Sequence, residues 1–433
     1  MRGGFPGPER RHPLWYTWAA VMLVAFSTSS AKAQDMCLAC HSNHDFMVTV
    51  AGDSAAAERL YVEPEVFAES VHGQLGFTCA LCHTGMTGYP HDDVVPVNCG
   101  GCHSAASERI AASIHGQPHP ETGEAAATCG DCHTDHHILR PGDPESTVYR
   151  LTQFEVCATC HEDAEKMGRF GQENVETVST YLSSVHGRGL LEKGLSVAPV
   201  CTDCHADEGT GTHGILAVAD SSCPVNWCQV SQRCGECHAG IMAQYDRSIH
   251  GEMFKQGNPD TPTCVNCHTE HGVARVASHE SSVNPIHVAQ TCTACHDRED
   301  FNEKYGIEVD RGRSFEASFH GIALEGGQLT VANCESCHGS HEILPSSNPE
   351  SLIHPANLVV SCGRCHPGIG EGVAQGNIHV VSFAEENKLL GLTVQIFYIA
   401  VIGVTVLYAF GLIFVDQYRH WIVDPRRRGG RHA

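Results

Sequence analysis

The chain has 433 residues, 24 cysteines and 31 histidines, carries a formal charge of −23, and is only 7% aromatic. A nucleic-acid surface needs clustered Lys and Arg, so this acidic chain is not expected to bind one, and basic partners suit it better. With so few aromatic side chains, and with 43 glycines and 20 prolines interrupting any helical period, the expected fold is mostly irregular chain with short α-helices organised around some other filling.

The first segment carries Arg2, Arg10 and Arg11, the apolar run Leu14 to Phe26, and Ala31-Lys32-Ala33 before Gln34. This is the pattern of a cleaved secretory signal peptide over 1–33. The apolar run is short for the alternative, an uncleaved anchor. Export would carry the cysteines into an oxidising compartment, where thiols become disulfides or are captured by a cofactor.

From Cys37 on, one pattern dominates. C-x-x-C-H occurs eleven times: Cys37 and Cys40 with His41, Cys79 and Cys82 with His83, Cys99 and Cys102 with His103, Cys129 and Cys132 with His133, Cys157 and Cys160 with His161, Cys201 and Cys204 with His205, Cys234 and Cys237 with His238, Cys264 and Cys267 with His268, Cys292 and Cys295 with His296, Cys334 and Cys337 with His338, and Cys362 and Cys365 with His366. Zinc could use such thiols, but closed four-ligand sets give no reason for a histidine after every second cysteine. The pattern is that of covalent haem c attachment, about eleven in all, with the adjacent histidine as the proximal iron ligand.

Two further histidine series run in step with the motifs. The first is S-x-H-G, at His72, His115, His186, His250 and His320, with His379 in GNIHV added on its offset from His366. The second follows a motif closely: His136, His271 and His341 lie three residues after the motif histidine, and His91 and His213 lie eight after. Together they make eleven candidate distal ligands, and they resolve 34–387 into five two-haem repeats preceded by one leading haem. Two trans imidazoles on one iron need Cα atoms roughly 12 Å apart, whereas three extended residues span at most ~10 to 11 Å. His271 is therefore expected to serve a haem other than that of His268.

Near the far end, Leu389 to Val415 contains no charge and is long enough to cross a bilayer as one helix. The span 388–415 is followed by a tail, 416–433, bearing Arg419, Arg426, Arg427, Arg428 and Arg431. The positive-inside rule places that tail in the cytoplasm and the region before the span in the periplasm, making a single-pass protein of the cytoplasmic membrane.

The doubled motifs resemble the multihaem c-type cytochromes of the class III kind, from Gln34 to about His379. The resemblance implies bis-histidine low-spin haems and electron transfer between a membrane quinol or cytochrome b partner and a soluble, periplasmic or extracellular redox protein. The alternative is a multihaem reductase or oxidoreductase of the nitrite, tetrathionate or hydroxylamine type with one open haem. None of the eleven motifs replaces its histidine, and no catalytic residue stands out. Methionine ligation would raise haem potentials, and no methionine recurs at a fixed place in the repeats, so a mainly low-potential series is expected. Cys223 and Cys228 lie outside the motifs and read as a local disulfide. His44, His119, His137, His279, His287 and His354 are surplus, with His44 the strongest substitute ligand, and His420 reads as structural.

Overall fold

The computed structural model describes residues 36–86, 88, 91, 95–119, 123, 125–172, 175–207, 211–374, 378–379, 388–419 and 421. The expected leader and His420 lie outside them. Two compact units emerge: residues 1–243 with 253–275, and residues 244–252 with 276–433. Both are built from short helices and turns. Among the described residues there are no strands, only the isolated bridges Pro118–Ala125 and Ala206–Ile215, and before Lys388 no helix exceeds nine residues. The expected fold class is the one observed.

The apolar interior is small. Its one cluster in the first unit is Leu190, Ala198 and Val200, against which Leu151 packs. Much of what is buried is instead polar, and Ser70, Ser113, Ser184 and Ser248 are almost wholly enclosed. These four serines open the S-x-H-G motifs. Each caps a helical turn with its hydroxyl, which accepts the N–H of the motif glycine: Gly73, Gly116, Gly187 and Gly251. Ser318 does the same for Gly321. An N-cap hydroxyl satisfies one of the donors that a helix start leaves open.

The glycine has a separate reason. A Cβ on Gly73, Gly116, Gly187, Gly251 or Gly321 would lie 1.9–2.3 Å from the carbonyl oxygen six residues earlier, on Phe67, Ile110, Tyr181, Tyr245 or Phe315. The capped turn sits directly on the preceding helix end, and only a residue without a side chain lets the two backbones meet so closely. Serine starts the turn, glycine seats it, and the histidine between them is held in one place.

The residue before each of these histidines ties one repeat to the next. The N–H groups of Val71, Ile114, Val185 and Ile249 donate to the carbonyls of Ile138, Ile215, Val273 and Ile343, at 2.9, 2.8, 2.8 and 2.9 Å. Each acceptor lies two residues after a histidine of the second series: His136, His213, His271 or His341. One backbone hydrogen bond thus holds a histidine of each series side by side, which is why the two patterns keep step along the chain.

Connectors between the two motifs of a repeat also recur. Ser146, Cys223, Ser281 and Ser351 are all buried at equivalent turn positions. The Cys223 thiol reaches the carbonyl of Leu216, seven residues back, as the Ser351 hydroxyl reaches that of Leu344. The disulfide expected from sequence is not formed: both cysteines are free thiols, and Cys228 turns to the Asn226 side chain and the Ser221 carbonyl. Cys223 fills a serine's place, and that seat directs its sulfur to the backbone rather than to Cys228.

The last helix, Lys388–Tyr418, has 31 residues. Its apolar part, Leu389–Tyr418, has mean hydropathy 2.4. At 1.5 Å per residue the helix is ~46 Å long, more than the ~30 Å of a bilayer's hydrocarbon. It runs three residues past the span read from the sequence.

Candidate functional site: paired imidazoles beside the cysteine motifs

Several of the cysteine motifs form single helical turns, including Cys129–His133, Cys201–His205, Cys264–His268 and Cys334–His338. In such a turn the cysteines, three apart, and the histidine, one further on, share a face. The residue before the second cysteine fixes the turn's start. Asp131, Asp203, Asn266 and Ser336 accept the backbone N–H of Thr128, Val200, Thr263 and Asn333. The variable positions of C-x-x-C-H are thus partly committed to capping.

Motif histidines face a second imidazole in ten pairs of described residues. In the first unit the pairs are His41–His91, His72–His103, His83–His136, His115–His161, His133–His213, His186–His238 and His205–His271, with ring centroids 5.9–6.2 Å apart. In the second unit they are His250–His296, His320–His366 and His338–His379, at 6.0–6.3 Å. His268 belongs to the first unit and His341 to the second.

A separation near 6 Å has a specific meaning. Face-stacked rings in van der Waals contact would lie at roughly 3.5–4 Å, and the edge-on pair His279–His287 closes to 5.1 Å. Two imidazoles coordinated trans to one metal, with metal–nitrogen bonds of ~2.0 Å and ~1.1 Å more to each ring centre, have centroids ~6.2 Å apart. The pairs are therefore spaced for one iron between them. Among the described residues no group of three or more His, Cys, Asp or Glu side chains is placed to enclose a bare metal ion, so the donor set suits a metal that brings its own equatorial ligands. Haem c would do so, and the neighbouring cysteines would supply its two thioether bonds.

The pairing follows a rule that spacing alone did not reveal. A histidine of S-x-H-G faces the second motif of its own repeat, passing over the first: His72 faces His103, His115 faces His161, and His186 faces His238. A histidine of the second series faces the first motif of the preceding repeat: His136 faces His83, His213 faces His133, and His271 faces His205. His379 departs from its expected series, because it faces His338, a first motif. It has neither the capping serine nor the seating glycine, so nothing forms the S-x-H-G turn around it, and its Nδ1 meets the Ser314 hydroxyl at 2.9 Å instead. The signal was present in sequence: an apolar residue two places on, Val381, as at Ile138 and Ile343.

The backbone just after the motif shows how a histidine three residues on reaches a different partner. Thr134, Thr269 and Gly339 directly follow His133, His268 and His338, and their φ values are 65°, 64° and 83°, with ψ of 174°, −179° and 166°. This region is essentially reserved for glycine. Two β-branched residues held there mark a turn that sends the chain away from its own motif.

Electrostatics favour neutral imidazoles. Burial, and then the neighbouring imidazoles, push His205 down to about 4, and burial with His296 does the same for His250, also to about 4. Burial is likewise the first cause lowering His115, His133, His161, His186 and His338. A ligand nitrogen must be unprotonated, so these sites are ready to bind metal without losing a proton. His41 donates from Nδ1 to the Leu60 carbonyl at 2.6 Å, which leaves Nε2 as the free donor atom.

Consecutive motifs are also neighbours in space. Thiols hydrogen-bond between Cys37 and Cys79, Cys99 and Cys129, Cys157 and Cys201, and Cys234 and Cys264. Cys82 acts on Cys99, Cys160 on Cys132, and Cys237 on Cys204. Each attachment site of the first unit is thus close enough to the next to hydrogen-bond with it or to act on it electrostatically. In the second unit Cys292 meets Cys334, and Cys362 acts on Cys337. Of the surplus histidines, His44 pairs with Glu58 at 3.0 Å rather than with another imidazole, His279 and His287 face each other edge-on, and His354 caps the turn at Ala356.

Residues 71–162 match the family model described as cytochrome c3. The match supports a multihaem c-type cytochrome. It begins within the first S-x-H-G motif and ends just after the motif of His161, so it takes in two of the five repeats, and the family it describes is one of electron-transfer proteins with covalently bound haem c. No curated protein and no solved structure matches the cytochrome.

Proposed function

We propose that this cytochrome is a membrane-tethered electron conduit carrying eleven bis-histidine haems. The observation that carries the reading is the ring spacing: ten motif histidines each oppose a second imidazole at 5.9–6.3 Å. A haem so ligated supplies one-electron transfer and leaves no coordination position for a substrate.

The chain's own residues do the rest. The cysteine turns fix each attachment site, the capped S-x-H-G turns and the positive-φ turns present the second imidazole, and burial favours the neutral form of His115, His133, His161, His186, His205, His250 and His338. The closeness of the cysteines of consecutive motifs puts successive cofactor sites in close succession. The helix Lys388–Tyr418 acts as a single anchor in the cytoplasmic membrane, with the haem region in the periplasm after removal of the leader. The motif of His366 precedes that anchor most closely in sequence, which suits an exchange there with a quinol-oxidising or cytochrome b subunit. The other haems serve a soluble or extracellular redox protein.

Three measurements test this together: intact mass of the mature chain, electron paramagnetic resonance of the oxidised form, and identification of proteins that co-purify from gently solubilised membranes. Eleven attached haems, low-spin signals only, and a membrane quinol-oxidising partner are expected. A stoichiometric high-spin ferric signal that shifts with nitrite or hydroxylamine would overturn the conduit reading.

A further inference from the structure

The ring planes of the paired imidazoles fall into two groups. Where the opposing histidine comes from the second series, the planes are close to parallel: 15° for His41–His91, 29° for His83–His136, 25° for His133–His213 and 10° for His205–His271. Where it comes from S-x-H-G they are turned: 62° for His72–His103, 76° for His115–His161, 42° for His186–His238, 49° for His250–His296 and 47° for His320–His366. The ranges do not overlap. His379, which belongs to neither context, faces a first motif and is turned by 42°. The local chain around each histidine therefore sets the angle, and the position of the motif in its repeat does not.

We infer that the cytochrome holds two electronically distinct classes of haem, and that the sequence context of the second histidine, S-x-H-G against the turn after a motif, decides the class. A ligating imidazole donates π density through the orbital normal to its ring. Two parallel rings act on the same iron d orbital and split it from its partner, whereas crossed rings act on one orbital each and leave the two nearly degenerate. Near-parallel pairs then give a well-spread rhombic low-spin spectrum, and the most crossed pairs give a nearly axial one with a large leading g value. Crossed rings also stabilise the ferric state less, so those haems are reduced first.

The backbone supplies the cause. Each S-x-H-G histidine sits in a helical turn fixed by a buried serine and a glycine packed on the preceding helix end, so its ring cannot swing. Histidines of the second series sit differently: His136 and His271 lie in a bend and a turn just after a motif, His213 ends a short 3-10 turn, and in each case the carbonyl two residues on is tied to a neighbouring S-x-H-G turn. Ser314, hydrogen-bonded to His379 Nδ1, holds the exceptional ring in place. Outer partners orient ligand imidazoles in this way generally.

The inference rests on the bis-histidine reading, and one experiment separates the two. The frozen, fully oxidised holoprotein is examined by electron paramagnetic resonance, with His115→Met and His271→Met beside it. Both signal types should be present. His115→Met should remove intensity only from the large-g set, and His271→Met only from the rhombic set. High-spin iron in the parent protein would sink the bis-histidine reading, whereas an all-low-spin spectrum of a single class would sink only this inference. Intensity lost from the opposite set in either variant would also overturn it. Where a variant fails to mature, the parent spectrum decides alone.

Discussion

Replacing Gly251 by alanine tests how the histidine beside it is held. The new Cβ would lie 2.0 Å from the Tyr245 carbonyl oxygen and 2.9 Å from the Asp246 Cα, both backbone atoms. Ordinary contact begins near 3.4 Å, so the turn must move by ~1.4 Å, well beyond the ~0.5 Å within which a binding geometry has to be kept. That movement strains the Ser248 cap, worth ~1 kcal/mol, and the Ile249–Ile343 backbone bond, worth about 1 kcal/mol. Overpacking itself costs roughly 1–3 kcal/mol. The sum, on the order of 3–5 kcal/mol, would speed hydrogen exchange across residues 249–255 by about two to four orders of magnitude. It would also pull His250 from its place opposite His296. Intact mass should show an unchanged number of haems, while the oxidised spectrum gains one high-spin centre. Gly240→Ala is the control, since a Cβ there meets nothing within 4 Å and should change neither reading. A Gly251→Ala protein that stays wholly low-spin with unaltered exchange would refute the role given to this glycine.

Other outcomes follow from the same geometry. Thr269→Gly removes a β-branched residue from a glycine-only region that costs about 1–3 kcal/mol and gives back ~0.5–1 kcal/mol in chain entropy, so the thermal midpoint should rise slightly. Gly339→Ala is the reverse case and should lower it, and equal midpoints in both variants would count against strain at these turns. Chain produced without haem attachment should lack stable structure, because its apolar interior is so small, and a native-like far-ultraviolet dichroism spectrum would contradict that. Stopping the chain before Lys388 should release the cytochrome from the membrane fraction at unchanged haem content, and continued sedimentation with membranes would argue against Lys388–Tyr418 as the sole anchor.

What the sequence determined by itself is the chemistry. Eleven repeats of C-x-x-C-H are covalent constraints written in adjacent residues, and a 27-residue uncharged run needs no tertiary information to be read as a span. The distance argument about His268 and His271 could likewise be made from bond lengths alone, and the structure sets His271 against His205. Pairing was another matter. Which imidazole opposes which depends on segments as much as 80 residues apart, such as His133 and His213, brought together by backbone bonds whose partners carry no side-chain signature stronger than an isoleucine or valine. The serine and glycine of S-x-H-G looked like mere punctuation in one dimension, because a cap and a close approach exist only once two turns are stacked. His379 went to the wrong series since its offset matched while the residues that build the turn were missing. Cys223 was read as half of a disulfide because pairing was the only use a local sequence offers a spare thiol in an oxidising compartment, yet folding gave it a serine's seat. The ring angles were decided only in the tertiary structure, for they depend on how rigidly each turn is packed, and packing is a property of neighbours in space rather than in sequence.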